Sequence, residues 1–229
     1  MNLAIIPARE GSKRLPKKNI KLFFKKPIIY YSINAAKKTK LFDQIIVSTD
    51  SIKIKKIAEK LGAKVPFLRP KEYSDDFSHF NESIIHAIKW FGKKKINFKN
   101  TCCIYPTSPL INYKKIIKGF ELLKKTKSYV FSACSYRSPP QRSFFFRSKK
   151  LNLLYSFNYS KRSQDLKKIF HDAGQFYWAK SQTWLNEKVI FNKNSNIIEI
   201  DYLDFIDINS VEDFNIAKKL FKLKKITNE

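Results

Sequence analysis

Glycine is nearly absent, with five in 229 residues. A Walker A loop needs a second glycine directly before Lys-Ser/Thr, and a dinucleotide fingerprint needs Gly-x-Gly-x-x-Gly. Gly11 stands alone, which excludes both. Cysteine is scarce and odd in number: Cys102, Cys103 and Cys134 lack metal-site spacing and sit in apolar strand-like runs. They read as buried free thiols, which implies a reducing cytoplasm. The three histidines, His79, His86 and His171, form no pair at metal spacing and read as surface or packed residues. No nucleophile–base pair is evident. No long uncharged apolar run is present, so no membrane span is expected. The opening Leu3-Ala4-Ile5-Ile6 has no basic lead or small-residue cleavage site and does not read as a signal peptide. Acidic side chains are also few, 19 against 46 Lys and Arg, for a net charge of +27. That excess invites a nucleic-acid partner. The lysine pairs, however, are scattered from Lys25-Lys26 to Lys224-Lys225, mostly on expected helix ends, and do not form one dense face. With abundant Ile, Asn and Phe, the bias reads as codon usage in an AT-rich genome, and no nucleic acid is expected.

The length suits one α/β domain over 1–229 with a sizeable core. Leu3 to Ile6, ended by Pro7, reads as a buried central strand. Pro27 suits the first position of a helix reaching about Lys38. Asp43 to Thr49 is a second strand, and Ser51 caps a helix to Leu61 with Gly62 as its stop. An extended piece at Val65 to Leu68, a helix over about Asn81 to Lys93 and a strand over Thr101 to Tyr105 follow. A helix capped by Asn112 then runs to Lys125, before a strand over Tyr129 to Cys134. This alternation predicts a mostly parallel sheet with right-handed crossovers. From Tyr136 to Ile169 the pattern breaks. Pro139-Pro140, Phe144-Phe145-Phe146 and Tyr155, Phe157 and Tyr159 suggest an inserted hairpin-like arm whose apolar residues suit a partner surface. Strands are expected again over Gln175 to Ala179, Ile197 to Ile200 and Phe205 to Ile208. Ser210 opens a last helix with Phe214, Ala217, Leu220 and Phe221 on its apolar face.

The chemistry concentrates after the first strand. Arg9, Lys13, Arg14, Lys17 and Lys18 lie within ten residues, around Gly11 and Ser12. A turn at the carboxyl end of a central strand is where open α/β sheets bind ligands. Glycine lets the backbone approach an anion, and successive amides can form a nest for it. A polyphosphate fits; a solvated basic turn is the plain alternative.

The order Ile6-Pro7-Ala8-Arg9-x-Gly11-Ser12-Lys13-Arg14-x-Pro16-x-Lys18-Asn19 resembles the signature of the cytidylyltransferases that activate sialic acids and related nine-carbon sugar acids. Further elements resemble the same family: Ser48-Thr49-Asp50, read as a wall of the site, Arg69-Pro70 with Ser74-Asp75-Asp76, and Tyr105-Pro106-Thr107-Ser108-Pro109-Leu110. Arg162-Ser163-Gln164-Asp165-Leu166, His171 to Trp178 and Asp207-Ile208-Asn209 complete the set. Four departures stand out. Tyr105 replaces a glutamine, Ala173-Gly174 replaces Asn-Gly, Asn209 replaces the second aspartate of Asp-x-Asp, and Lys167 stands where the family has a proline after Leu166. The first two resemble the branch that activates pseudaminic acid.

The resemblance implies a three-layer Rossmann-like α/β nucleotidyltransferase with a dimerisation arm at about 136–169, hence a homodimer. It implies transfer of CMP from CTP to a nine-carbon 2-keto sugar acid. Pseudaminic acid is the first candidate, with sialic or legionaminic acid as alternatives. A basic α/β nucleic-acid-binding module is the alternative from another class. The implied nucleotide-binding residues are Ala8, Arg9, Gly11, Ser12, Lys13, Lys18, Asn19, Arg69, Thr107 and Ser108, with Arg9, Lys18 and Asp207 catalytic. Tyr105, Arg162, Gln164, Gln175, Phe176 and Tyr177 would meet the sugar. Asp207 and Asn209 would hold Mg²⁺.

Overall fold

The computed structural model describes residues 1–12, 14–74, 80–187 and 189–226. Lys13, Asp75, Asp76 and His79 lie outside them. The central strand β1 (Asn2–Pro7) is buried on both faces. It runs parallel to β4 (Gln44–Ser48) on one side and to β5 (Asn100–Ile104) on the other. Pairing stops as proline requires: Pro7 is the last ladder residue, and the Ala8 amide makes one more bond to the Ser48 carbonyl at 2.9 Å. The remaining strands of the main sheet are β6 (Val130–Ser135), β9 (Phe170–Lys180) and β10 (Asn196–Ile200). The order is β10-β6-β9-β5-β1-β4, and β9 alone runs antiparallel to its neighbours.

Period-two alternation sends strand residues to two cores. Ala4, Ile6, Val47, Cys102 and Phe176 face helices α1 (Ile29–Thr39), α2 (Ile52–Lys60) and α4 (Tyr113–Leu123). Leu3, Ile5, Ile46, Cys103 and Tyr177 face α3 (Phe80–Lys93) and α5 (Ser181–Asn186). Three layers result, as expected. A third, smaller cluster joins Leu15, Phe23, Ile28, Ile208, Phe214 and Ala217. It packs the ribbon of β2 (Leu22–Phe23) and β3 (Lys26–Pro27) against the last helix, α6 (Val211–Ile226). Leu15 comes from the basic loop and Ile208 from the Asp207 segment, so this cluster seats both.

Local signals act as written. Ser51 Oγ accepts from the Ile54 amide and Asn112 Oδ1 from that of Lys114. Gly62 ends α2 with φ +82°. Pro27 differs from expectation: it pairs with Leu22 in β3, and α1 begins two residues later. Phe205 to Ile208 forms no strand. The arm contains the hairpin β7 (Phe144–Arg147) and β8 (Lys150–Leu153), turned by Ser148 and Lys149 at φ 52° and 62°. Two positive φ values match the turn type that follows strand twist. Phe146, Phe157 and Tyr159 are about 70% exposed on the arm (69%, 70% and 72%).

Gly119 in α4 marks a close helix–sheet approach. A Cβ there would sit 2.8 Å from Phe176 Cε2 and 3.1 Å from Trp178 Cδ1. Gly119→Ala would gain up to about 1 kcal/mol of helix propensity but overpack two buried rings at about 1–3 kcal/mol. The expected result is a lower melting temperature, read by thermal unfolding. A raised value would mean that the rings yield freely.

Candidate active site

The basic loop is pinned along its backbone. The Glu10 amide donates to Asp50 Oδ1 at 2.9 Å, and the Ser12 amide turns back to the Glu10 carbonyl at 2.9 Å. Asn19 is buried behind the loop, and its Nδ2 donates to the Arg9 carbonyl at 2.8 Å. Asn19 thus holds the loop through the Arg9 carbonyl, and the Ala8 amide makes the sheet's last bond, to the Ser48 carbonyl. Asp50 is more than a wall, because it anchors Glu10. A Cβ at Gly11 would meet nothing within 4 Å, so the space beside it is open.

This loop and the segments beside it gather cations. Lys18 Nζ donates to the Ile208 carbonyl at 2.5 Å, across 190 residues of sequence. Burial chiefly lowers its pKa; Asp207 opposes the shift, and Arg14 and Arg9 add to it. Arg69 is 6% exposed, with its amide on the Thr49 carbonyl at 2.7 Å and Nε on Ser74 Oγ at 3.0 Å. Burial chiefly lowers its pKa too, with Asp50 opposing and Arg9 adding. Arg9 is therefore the shared neighbour of Lys18 and Arg69. Like charges held this close favour an anion between them.

Beside the cations opens a cleft of about 410 Å³. One wall is Tyr105, Thr107 and Ser108, past the end of β5; the second is His171 to Gly174 on β9; the third is Phe205 to Asp207. A bulge in β9 shapes it. Phe131 pairs with Tyr177 and Ala133 with Asp172, so one residue of β6 spans four of β9. Ser132 fills the gap, its Oγ accepting from the Gln175 and Phe176 amides at 3.0 and 3.2 Å. Gly174 takes φ +54°, where a side chain would be strained. Its amide donates to Asp172 Oδ1 at 2.9 Å, and Tyr177 Oη donates to Asp172 Oδ2 at 2.5 Å. The Tyr105 ring packs on Phe80 and Tyr177, and burial pushes its phenol well up.

The bulge explains why three of the expected sugar contacts do not line this cleft. Gln175 is buried and its Nε2 is bonded to the Asp204 carbonyl at 2.5 Å. Phe176 packs under α4, and the Tyr177 ring is fully buried behind Tyr105. None of the three lines the cleft; strand alternation and the bulge present His171 to Gly174 instead. Arg162 is 74% exposed on the arm and paired with Asp165 at 2.9 Å, and Gln164 is exposed beside it. Neither lines this chain's cleft. Thr107 and Ser108 share the cleft with Tyr105, where a nucleotide contact was expected.

Asp207 and Asn209 do share a face, since Asn209 Nδ2 donates to Asp207 Oδ2 at 2.6 Å. Asp213 is committed elsewhere. Its Oδ2 accepts from the Asn209 and Ser210 amides, and its own amide donates to Ser210 Oγ, a reciprocal cap on α6. Those bonds hold its carboxyl below the usual range. Among the described residues no three His, Cys, Asp or Glu side chains cluster as a metal cage. His86 packs against Phe67, and His171 packs at a tilt on Phe205 at the cleft, both as packed residues.

The profile of the family described as cytidylyltransferase matches residues 3–228. The chain belongs to the cytidylyltransferase family. Pseudaminic acid cytidylyltransferase of Campylobacter jejuni is 38% identical over 226 residues, 97% of both chains. N-acylneuraminate cytidylyltransferase of Escherichia coli is 31% identical over 94% of this chain and 51% of its own. Among solved structures, CMP:2-keto-3-deoxy-manno-octonic acid synthetase, complexed with CTP, superposes with a TM-score of 0.73 at 12% identity. It covers 97% of this chain and 99% of its own, which shows a shared fold.

Sequence reasoning about this cytidylyltransferase missed the cleft roles of Asp172, Gly174 and Phe205. The signal for Asp172 was Asp-x-Gly, a polar turn pair interrupting an otherwise apolar strand.

Proposed function

We propose that this nucleotidyltransferase moves CMP from CTP to the anomeric hydroxyl of a nine-carbon 2-keto sugar acid, most closely pseudaminic acid, and releases pyrophosphate. The observation that carries the substrate is the 38% identity to the Campylobacter jejuni enzyme across 97% of both chains. Sialic and legionaminic acids are the second reading. The cation cluster beside the cleft supports the same chemistry. Arg9, Lys18 and Arg69 neutralise the triphosphate, while the cleft holds the sugar acid with its anomeric oxygen aimed at the α-phosphorus. Such transfers depend on positioning and charge neutralisation more than on covalent chemistry.

The donor set near Asp207 fits a magnesium site of the substrate-assisted kind. It offers one carboxylate and one amide oxygen on a shared face, both hard ligands. Mg²⁺ would be held by Asp207 and Asn209 together with substrate phosphates, and would supply charge neutralisation there. Lys18, bonded to the carbonyl between these two residues, fixes the segment against the loop. CTP as substrate and three buried free thiols support a cytoplasmic reaction.

The exposed apolar arm packs on a second copy, giving a C₂ dimer in which Arg162 reaches the neighbour's cleft. Sedimentation should give a dimer. Mixing Arg162→Ala with Arg9→Ala chains should recover part of the activity, and a monomer at assay concentration defeats this arrangement. The activity itself is tested by incubating the protein with CTP, Mg²⁺ and a panel of nine-carbon sugar acids and following pyrophosphate. Release with none of them sinks the proposal; release with sialic acid in preference to pseudaminic acid selects the second reading.

A further inference from the structure

We propose that Asp172 recognises the acylamino end of the sugar acid and so fixes which way round it lies; this rests on the CMP-transfer reading above. Both of its oxygens are held by fixed donors, Tyr177 Oη at 2.5 Å on Oδ2 and the Gly174 amide at 2.9 Å on Oδ1. The Tyr177 ring is fully buried, which fixes the position of its hydroxyl oxygen. Each carboxylate oxygen keeps a further lone pair. The carboxylate is exposed on the cleft wall, and no Lys or Arg pairs with it among the described residues. A rigid acceptor without a cation welcomes neutral N–H and O–H donors and repels another carboxylate.

Those properties set the orientation. In a 2-keto sugar acid the carboxylate and the anomeric hydroxyl share one carbon, so both must lie where the phosphates bind. That end is marked by Asp207, the cleft carboxylate that acts on Lys18. The rest of the sugar then extends toward the β9 bulge, carrying its hydroxyl and acylamino groups to Asp172. An amide N–H is donor only and a carboxylate acceptor only, so the two match without ambiguity. Tyr105 and Phe205 on the flanking walls offer apolar surface to the acyl methyl. Tyr177 is a positioning residue, acting through Asp172.

The test is a kinetic split on the full-length protein. Asp172→Asn should raise KM for the sugar acid about 10- to 100-fold, the range for losing a hydrogen bond to a charged group. KM for CTP, kcat and the Mg²⁺ concentration giving half activity should stay within about threefold. Tyr177→Phe should move the same constant in the same direction by less. The double variant should cost no more than Asp172→Asn alone, because both act on one contact. A merely structural role for Tyr177 would lower the melting temperature and leave the sugar KM alone. The inference is overturned if Asp172→Asn lowers kcat at unchanged KM, the mark of a general base. A shift in Mg²⁺ dependence, the mark of a metal ligand, also overturns it, as does unchanged kinetics in an active enzyme. Wild-type protein that releases no pyrophosphate with any sugar acid overturns the parent reading as well, which keeps the two failures apart.

Discussion

Arg9→Ala lowers kcat/KM for pyrophosphate release by about a hundred- to a thousandfold, the usual result of removing one preorganised charge contact, about 2.7–4 kcal/mol. The expectation rests on its place in the charge pattern. Arg9 acts on both Lys18 and Arg69, and both are already pushed down by burial. Arg9 thus joins the loop to the Arg69 turn electrostatically. Its backbone is held independently, by Asn19 on its carbonyl and by Asp50 on the next amide. Truncating the side chain therefore leaves the loop in place. Thermal unfolding should show the variant folded, because the loop backbone is held by Asn19 and Asp50 and not by the Arg9 side chain. An active-site loss with an intact fold is the expected pair of results. Unchanged kinetics would place the triphosphate elsewhere and leave the basic loop a solvated turn.

The parts of this fold legible in the sequence are those written in short-range chemistry. Ser51, Asn112 and the Ser210–Asp213 pair each satisfy orphan amides within a few residues, and each caps a helix where expected. The apolar run of β1 ended by Pro7 needed only strand burial and a missing donor. The arm was visible because its aromatic residues fit no period, and in the structure they are exposed. Pro27 was misplaced because proline suits a helix start and an edge pairing equally; the Phe23 contact with Phe214 and Phe221, distant in sequence, decides it.

The cleft was harder to read, for one physical reason. A strand buried on both faces carries no alternation that tells its direction or its register. The run Phe176-Tyr177-Trp178 reads as strand in any case. That β9 runs antiparallel, starts at Phe170 and bulges over Ala173 to Phe176 depends on Ser132, more than forty residues away, supplying an acceptor to the unpaired amides. Once the bulge is placed, Phe176 turns to the α4 core and Asp172 to the cleft. The cation cluster was more legible because a loop's charges lie close together in sequence.

Asp207→Asn should lower turnover by about three orders of magnitude, the scale of losing several kcal/mol of charge stabilisation at a phosphoryl-transfer site. Asp207 is the cleft carboxylate nearest to the loop chemistry, acting on Lys18 while the next residue's carbonyl accepts from that lysine at 2.5 Å. Its neighbour brings no second charge. Asn209 donates its amide to Asp207 Oδ2 at 2.6 Å, and Asp213 and Asp50 are bound to backbone amides of the α6 cap and the basic loop. With a single carboxylate in the Asp207–Asn209 pair, Mg²⁺ must lean on the triphosphate, and half activity should need more free Mg²⁺ than in an Asp-x-Asp relative. Asn209→Asp adds the missing charge and removes the amide that occupies Asp207, so it should lower the Mg²⁺ requirement while leaving the sugar KM in place. Titrating Mg²⁺ against pyrophosphate release in wild type and both variants reads all of this, with melting temperatures as the folding control. An Mg²⁺ dependence untouched by Asp207→Asn would remove the metal from this segment and point to Asp172, the other carboxylate in the cleft.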